Sequence, residues 1–412
     1  MLAAAPRGVI FDGPSTAESH ADHRRRIGAL LPVGRRSDVI GILEASGLQG
    51  RGGAGFPVGR KWRSVADRAG GRAVVLVNGA EGEPLSVKDR SLMTARPHLV
   101  VDGALLAADA VGAEEIIIYI GVEHRAAKAA MGRALAERQA DFGRRRLRLL
   151  DAPATYIAGE ESAAVNVAQS GAALPTNTPP RPFERGVRGR PTLVQNVESL
   201  AVAALIAHYG DAWYRGMGRG RATGFGLVTV SGAVARPRLQ EVELGSTVGE
   251  VAHAAGAARP GVQAVLLGGY FGAWADRDEA WDVELDQASM RTRGLALGCG
   301  VVSLLSVDEC GVAVTSRIMA YMASQSARQC GPCLFGLAAI AQATQRLATT
   351  RAHPDDLERI TGWSAQLKGR GACRHPDGAV GLLQSAIAVF GDEFAAHQRG
   401  HCLRQVTRKS AA

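Results

Sequence analysis

Residues 73–84 read AVVLVNGAEGEP, and this stretch decides the fold. A short apolar run rich in β-branched residues stops at a polar turn broken by glycine. Such a run predicts a strand buried on both faces, as in a parallel sheet covered by helices. The turn then lies at the carboxyl end of the strand, where open α/β sheets face their ligand crevice. There Asn78 can both donate to and accept from a planar heterocycle. Glu81 and Glu83 can accept from ribose hydroxyls or a carboxamide. An acidic turn standing alone is more often simply solvated.

Strands of the same kind are expected at 115–120 and 147–150, with helices at 99–110 and 126–137. Strands alternating with helices mean a mostly parallel sheet. The character changes near Gly226. Strands at 227–230 and 239–242, a helix at 248–255 and a strand at 264–267 make a small α+β module. After Gly300 four alanine-rich stretches, 312–324, 334–348, 357–366 and 380–397, predict a helical bundle. The fold class is therefore α/β plus α+β. The expected domains are 1–225, 226–295 and 296–412.

Upstream of the first strand, a short helix at 38–46 runs into the glycine-dense loop GLQGRGGAGFP, residues 47–57. Gly50, Gly52 and Gly55 satisfy G-x-G-x-x-G, which alone is a weak signal. The ordinary dinucleotide fingerprint follows a strand and opens a helix, and this loop follows a helix instead. Its physics still holds: glycine lets backbone N–H groups approach phosphate oxygens closely. Arg51, Arg60 and Lys61 add positive charge. A third motif, YIAGEE at 156–161, follows the strand at 147–150 and places two carboxylates at the same crevice. Arg181, Phe183 and PTLVQNVE at 191–198 then offer an aromatic face and amides for a ring edge. A plain loop and helix start explains that last stretch equally well.

Cys330-Gly-Pro-Cys333, with Cys373 further on, suits a metal or iron–sulfur site. A thioredoxin-type dithiol lacks its βαβ surroundings, and structural zinc normally takes four ligands.

With 412 residues, 46% of them hydrophobic, the chain can bury a large core and two or three domains. No apolar segment reaches the length of about 18 residues that a membrane helix needs. The start, MLAAAPRGVIFDGP, is a poor secretory leader. A cytoplasmic protein without direct membrane insertion is expected. The net charge of +9 collects in clusters at 23–26, 144–148 and 404–409. Aromatics are only 5%, and no nucleic-acid module accompanies the charge, so nucleic acid is not an expected partner. Solvated helix faces explain the clusters most simply; a docking surface for an acidic redox protein is the better functional reading.

Taken in order, these motifs resemble the NADH-binding flavoprotein subunit shared by complex I, NAD-dependent hydrogenases and formate dehydrogenases. The family's SGLRGRGGAGFPTGLKW is similar to SGLQGRGGAGFPVGRKW at 46–62. Its NADEGEPGTFKDR is similar to NGAEGEPLSVKDR at 78–90. YICGEETAL is similar to YIAGEESAA at 156–164, and GKPTVVNNVETLA to GRPTLVQNVESLA at 189–201. The resemblance spans roughly residues 38–394. It implies a Rossmann-like FMN domain, a small ubiquitin-like (SLBB-like) domain and a helical bundle holding a [4Fe–4S] cluster. Gly50, Arg51, Gly52, Gly53, Lys61, Asn78, Glu81, Tyr156, Gly159, Glu160, Thr192, Gln195 and Asn196 fall at positions that bind or border FMN. Phe56, Glu83, Glu161 and Phe183 fall at positions that receive NADH. Cys330, Cys333 and Cys373 match cluster ligands. The implied activity is an NADH dehydrogenase (diaphorase) subunit. Hydride goes from NADH to FMN, then electrons go to a [2Fe–2S] thioredoxin-like subunit or ferredoxin-type acceptor. No side chain is expected to serve as an essential acid or base, because the cofactor carries the chemistry.

Four departures stand out. The family's ESCGxCTPCREG corresponds to QSARQCGPCLFG at 325–336, so Ala327 replaces the first cluster cysteine. A three-thiolate cluster, either [3Fe–4S] or [4Fe–4S] with a foreign ligand, a cysteine recruited from elsewhere, and an empty site are the outcomes left. Of the spare cysteines, Cys299 and Cys310 align with non-ligand positions and Cys402 has no assigned place. His375 is a conceivable foreign ligand, but is expected to be an ordinary exposed histidine. Ala80 stands where the family turn has aspartate, Ser64 where an aromatic often follows, and Gln195 where an asparagine is usual. These departures leave an alternative: a flavin- or ligand-binding scaffold subunit that does not oxidise NADH.

Overall fold

A computed structural model describes residues 10–11, 16–29 and 39–404. The first residue of the expected 38–46 helix, most of the 404–409 cluster and most of the N-terminal leader stretch lie outside these residues. The described chain forms two compact units. One runs to Val228 and includes Leu239–Gly245; the other takes Thr229–Arg238 and the chain from Ser246 onward. The fold is mixed α/β, with a parallel sheet and flanking helices.

In the first unit, β1 (Ala73–Gly79), β2 (Ala113–Gly121), β3 (Arg146–Ala152) and β4 (Thr192–Asn196) form a four-stranded sheet in the order β3–β2–β1–β4. All neighbours are parallel. The three strands expected from apolar runs are therefore present, each slightly longer than expected. β4 was not expected as a strand. Side chains alternate across the sheet. Val75 and Val77 enter a core with Ile116, Ile118 and the helices Pro97–Ala110 and Val197–Tyr209. Val74 and Leu76 enter a second core with Ile117, Tyr119 and the helix Glu161–Ser170. Burial on both faces is what made β1 and β2 read as apolar runs, whereas β3 at the sheet edge is mostly exposed or half-buried. The two long helices pack closely at Gly103, where a Cβ would lie 2.2 Å from the Leu200 carbonyl oxygen.

The sheet order fixes where a ligand can lie. β1 leads to β2 on one side, while β4 flanks it on the other. Between two such strands the connections leave in opposite directions, and a crevice opens beyond their carboxyl ends. Asn78 of β1 pairs in register with Asn196 of β4.

The second sheet has the order β6–β5–β9–β7–β8. Its strands are β5 (Phe225–Gly232), β6 (Arg238–Glu243), β7 (Val262–Leu267), β8 (Ala273–Asp276) and β9 (Val301–Ser306). β5 and β9 are parallel, and β7 is antiparallel to both β8 and β9. β8 and β9 were not expected. The following helices are Gly311–Ser324, Ala338–Ala348, Asp356–Leu367, His375–Val389 and Gly391–Gln398. The single stretch expected at 380–397 is broken at Phe390, which is buried edge-on against Trp274. No single helix among the described residues is long and apolar enough to cross a membrane.

Candidate functional site

The glycine loop is pinned at both ends. Gly50 N donates to Phe56 O at 2.9 Å, and Val58 N to Leu48 O at 2.9 Å. Between them Gly53 adopts φ +115°, a conformation that L side chains rarely take. A Cβ there would meet nothing, whereas a Cβ on Gly52 would touch Asn196 at 3.3 Å. The loop thus lies against the end of β4. Asn78 Nδ2 donates to Gly159 O at 2.9 Å, drawing the YIAGEE turn to the end of β1. Gly159 likewise faces open space. Glu160 caps the helix Glu161–Ser170, accepting from Ser162 N and Ala163 N. Lys61 Nζ is 3.1 Å from Glu161. The 50–61 segment, the β1 turn, the YIAGEE turn and the β4 end therefore converge on one region. Glycines with open space before them, beside a half-exposed lysine, fit a phosphate-bearing planar cofactor.

The donors and acceptors have distinct duties. Glu81, at φ +43°, accepts from Ser86 Oγ and Asp89 N at 2.8 Å and from Arg90 N at 3.0 Å, capping the helix Lys88–Ala95. Tyr156 Oη donates to Glu83 at 3.2 Å. Phe56 is 49% exposed with Arg60 over its ring, and Arg68 lies 5.2 Å over the ring of Phe183. Three other expected contacts are turned inward. The Arg51 guanidinium donates to Tyr214 Oη and to Phe225 O at 2.8 Å. The buried Gln195 accepts from Trp62 Nε1 at 3.3 Å. Thr192 Oγ1 accepts from Val187 N and donates to Arg190 O. Arg51 is therefore held away from the role of charge donor to an anion, although its backbone stays in the loop.

A buried network behind the site was not singled out from sequence. Lys88 Nζ contacts Asp89 at 2.6 Å and Glu198 at 3.0 Å. Asn196 Nδ2 donates to Asp89 at 2.7 Å, and Asn196 Oδ1 accepts from Glu198 N at 3.0 Å. Ser199 Oγ accepts from Arg51 N at 2.9 Å. Burial alone would lower Lys88, but the Asp89 and Glu198 carboxylates outweigh it and hold the ammonium raised. Burial raises the Asp89 carboxyl, against the pull of Lys88. The available signal was the pairing of KDR with NVES, both polar within otherwise apolar surroundings.

In the second unit, Cys330, Cys333 and Cys373 come together. Burial, with the neighbouring Cys330 and Cys373, pushes the Cys333 thiol up to about 12. Cys333 sits where the chain makes wide, π-type turns over Pro332–Leu337, a geometry frequent at functional sites. Among the described residues no disulfide joins any of the six cysteines. Three thiols fit part of a cluster's ligand set, and Ala327 supplies no donor. His375 is not exposed as expected. It is buried, its Nε2 lies 2.8 Å from Met322 O, and its ring meets Phe271 edge-on. A carbonyl only accepts, so Nε2 carries a proton there. The helix His375–Val389 begins at this residue and folds it inward.

Comparison with known proteins extends this picture. Residues 43–204 match the Nuo51 FMN-binding domain, and residues 313–397 match the NADH-ubiquinone oxidoreductase-F iron-sulfur binding region. The NADH-quinone oxidoreductase F 2 subunit of Rhizobium meliloti (strain 1021) is 33% identical over 406 residues, covering 95% of each chain. The NADH-quinone oxidoreductase F subunit of Mycobacterium tuberculosis (strain ATCC 25618 / H37Rv) is 32% identical over 88% of this chain and 85% of that one. A solved NAD+-reducing [NiFe]-hydrogenase in the H2-reduced state aligns with a TM-score of 0.83 at 30% identity, over 90% of this chain. This chain spans 64% of the length of that hydrogenase chain.

Fold and matches together define an oxidoreductase subunit with an FMN-binding domain and an iron–sulfur binding region. The chain belongs to the family of NADH-quinone oxidoreductase F subunits, whose members work within multi-subunit complexes.

Proposed function

We propose that the protein is the NADH-oxidising subunit of such a complex, with FMN in the crevice beyond β1 and β4. The observation that carries this is the in-register pairing of Asn78 with Asn196, with the glycine loop against one and the Gly159 turn bonded to the other. FMN, when bound, accepts hydride from NADH and releases the electrons onward. Backbone N–H groups at Gly52 and Gly53 hold its phosphate, Gly50 closes the loop through its bond to Phe56 O, and Lys61, kept in place by Glu161, balances the charge. Asn78, Gly159, Glu160 and Asn196 frame the ring, while Glu81 and Tyr156 shape the walls. Gln195, Thr192 and the Arg51 side chain act from behind as positioning groups. Phe56 and Phe183 offer faces to NADH, and Glu83 and Glu161 accept from its hydroxyl or amide groups.

Further readings complete the proposal. Residues 1–225 are a Rossmann-like FMN domain. Residues 226–295 are an SLBB-like, ubiquitin-like domain, a reading supported by the parallel central pair β5–β9 with a helix beside it. Its sheet runs on to Ser306, ahead of the helical iron–sulfur region. Cys330, Cys333 and Cys373 hold a three-thiolate cluster. The electron acceptor is a [2Fe–2S] thioredoxin-like subunit or a ferredoxin-type protein, and the complex works in the cytoplasm. Ala327 also supports a second reading, a scaffold subunit without a complete cluster.

A visible spectrum with FMN and iron quantified on one sample tests this. The protein is expected to be yellow, and NADH added without oxygen is expected to bleach it. A colourless protein that takes up no added FMN would sink the proposal.

A further inference from the structure

Apart from the sites above, the second unit gathers another set of soft donors. The ligating atoms of Cys310, His397 and Cys402 all lie within 4.8 Å of one another. Cys310 Sγ is 3.2 Å from His397 Nε2. Cys310 and His397 are buried, and Cys402 is half-buried. They come from separate places. Cys310 caps the helix Gly311–Ser324, His397 lies in the last turn of Gly391–Gln398, and Cys402 follows in the tail.

The imidazole is oriented from behind. His397 Nδ1 lies 2.9 Å from the Leu347 carbonyl. A carbonyl only accepts, so Nδ1 carries a proton, and Nε2 is the ring nitrogen that faces the thiols. This is how metal-bound histidines are held, by a backbone acceptor on the far nitrogen. Glu393, paired with Arg404 at 3.2 Å, accepts from Gly311 N at 2.8 Å beside Cys310.

We propose that Cys310, His397 and Cys402 bind one zinc-class divalent cation, with the fourth position left to water or a small ligand. Tetrahedral zinc has sulfur at about 2.3 Å and nitrogen at about 2.0 Å, so its sulfur and nitrogen ligands stand roughly 3.5 Å apart. Cys310 and His397 need move only by tenths of an ångström to reach that spacing. Among the described residues, Cys330, Cys333 and Cys373 do not form such a tight group, which separates a mononuclear site from a multinuclear one. The ion ties the tail after Gln398 to the start of the helix Gly311–Ser324 and stabilises that closure.

The test uses the full chain carrying Cys330→Ser and Cys373→Ser, so that the other thiol set cannot compete. Added Co2+ is expected to give thiolate charge-transfer and tetrahedral d–d bands at about one ion per chain, displaced by zinc. Cys402→Ser, in a half-exposed tail position, is expected to abolish the bands while circular dichroism stays unchanged. His397→Gln is expected to do the same, and Cys299→Ser to leave the bands intact. The inference is overturned if the parent gives no such bands, or if Cys402→Ser keeps them. It is equally overturned if protein isolated without oxygen carries a Cys310–Cys402 disulfide.

Discussion

The buried ammonium of Lys88 lies 3.0 Å from the Glu198 carboxylate, joining the turn after β1 to the helix after β4. Glu198 also accepts from Leu227 N at 2.9 Å, so the same carboxylate fixes the start of β5. One cation thus holds together the strands whose ends frame the crevice. Lys88→Met is expected to leave the buried Asp89 and Glu198 carboxylates without their shared ammonium, Asp89 keeping only the Asn196 amide and Glu198 only Leu227 N and the more distant Arg51, and to cost about 3–5 kcal/mol. Urea unfolding of the purified protein measures this, and FMN retention should fall with it. A loss under about 1 kcal/mol would mean that the network does not carry the site.

Phe56 is half exposed, with the Arg60 guanidinium over its ring, so its removal should act on the substrate more than on the fold. An aromatic contact is worth about 0.5–1.5 kcal/mol. Phe56→Ala is therefore expected to raise KM for NADH roughly two- to tenfold, with the melting temperature unchanged. If KM stays the same while kcat falls, the ring is not a binding face for NADH.

The sequence made β1 and β2 legible because burial on both faces leaves plain apolar runs, while the edge strand β3, RLRLLDA, is mostly exposed or half-buried and showed only through its short leucine-rich stretch. It hid β4, whose TLVQN mixes apolar residues with amides directed at neighbouring groups. Lys88–Ala95 was hidden for a related reason: KDRSLMTA has no clean apolar stripe, and its cap comes from Glu81, outside the helix. The run VVSLLS of β9 is apolar enough, but short apolar runs do not separate buried strand from buried helix. At the site, the glycine loop and the acidic turns declared themselves through backbone chemistry. Arg51 misled because its partners, Tyr214 and Phe225, lie far along the chain. The gathering of Cys402 with Cys310 and His397 was invisible for the same reason.

His98 and His23 sit 5.8 Å apart and are driven in opposite directions. For His98, burial, then the charge of His23, lowers the pKa from 6.5 to about 4. For His23, burial is overcome by Asp102 and Glu18, which raise it. In the folded protein His98 is neutral where the unfolded chain already takes a proton. The unfolded state thus binds more protons between pH 6.5 and about 4, and stability falls with pH across that window. His23 acts in the opposite sense: its contribution is full below pH 6.5 and is lost as pH rises through its raised value. His98→Gln is expected to flatten the acid side of the stability curve. Unfolding free energies of both proteins at several pH values between 4 and 6.5 decide it, and parallel curves would refute the assignment.

Ala327 faces the sharpest question, because position 327 decides how many thiolates the chain brings to iron. Arg328 beside it takes φ +53°, so the backbone turns sharply just before Cys330. Ala327→Cys would make the pattern C-x-x-C-x-x-C and supply a fourth thiolate, the number that [4Fe–4S] clusters usually take. In the parent protein a three-thiolate cluster is expected to carry about three irons, or four with one labile. The variant is expected to hold about four irons that resist chelation, with an altered EPR signal after reduction. Iron and sulfide counts before and after a mild chelator measure the difference. If the parent already holds four chelator-resistant irons, a further ligand from the protein completes the site. If neither protein holds iron, the three cysteines, of which only Cys333 is buried, are reduced thiols, and the scaffold reading takes the place of electron transfer through this unit.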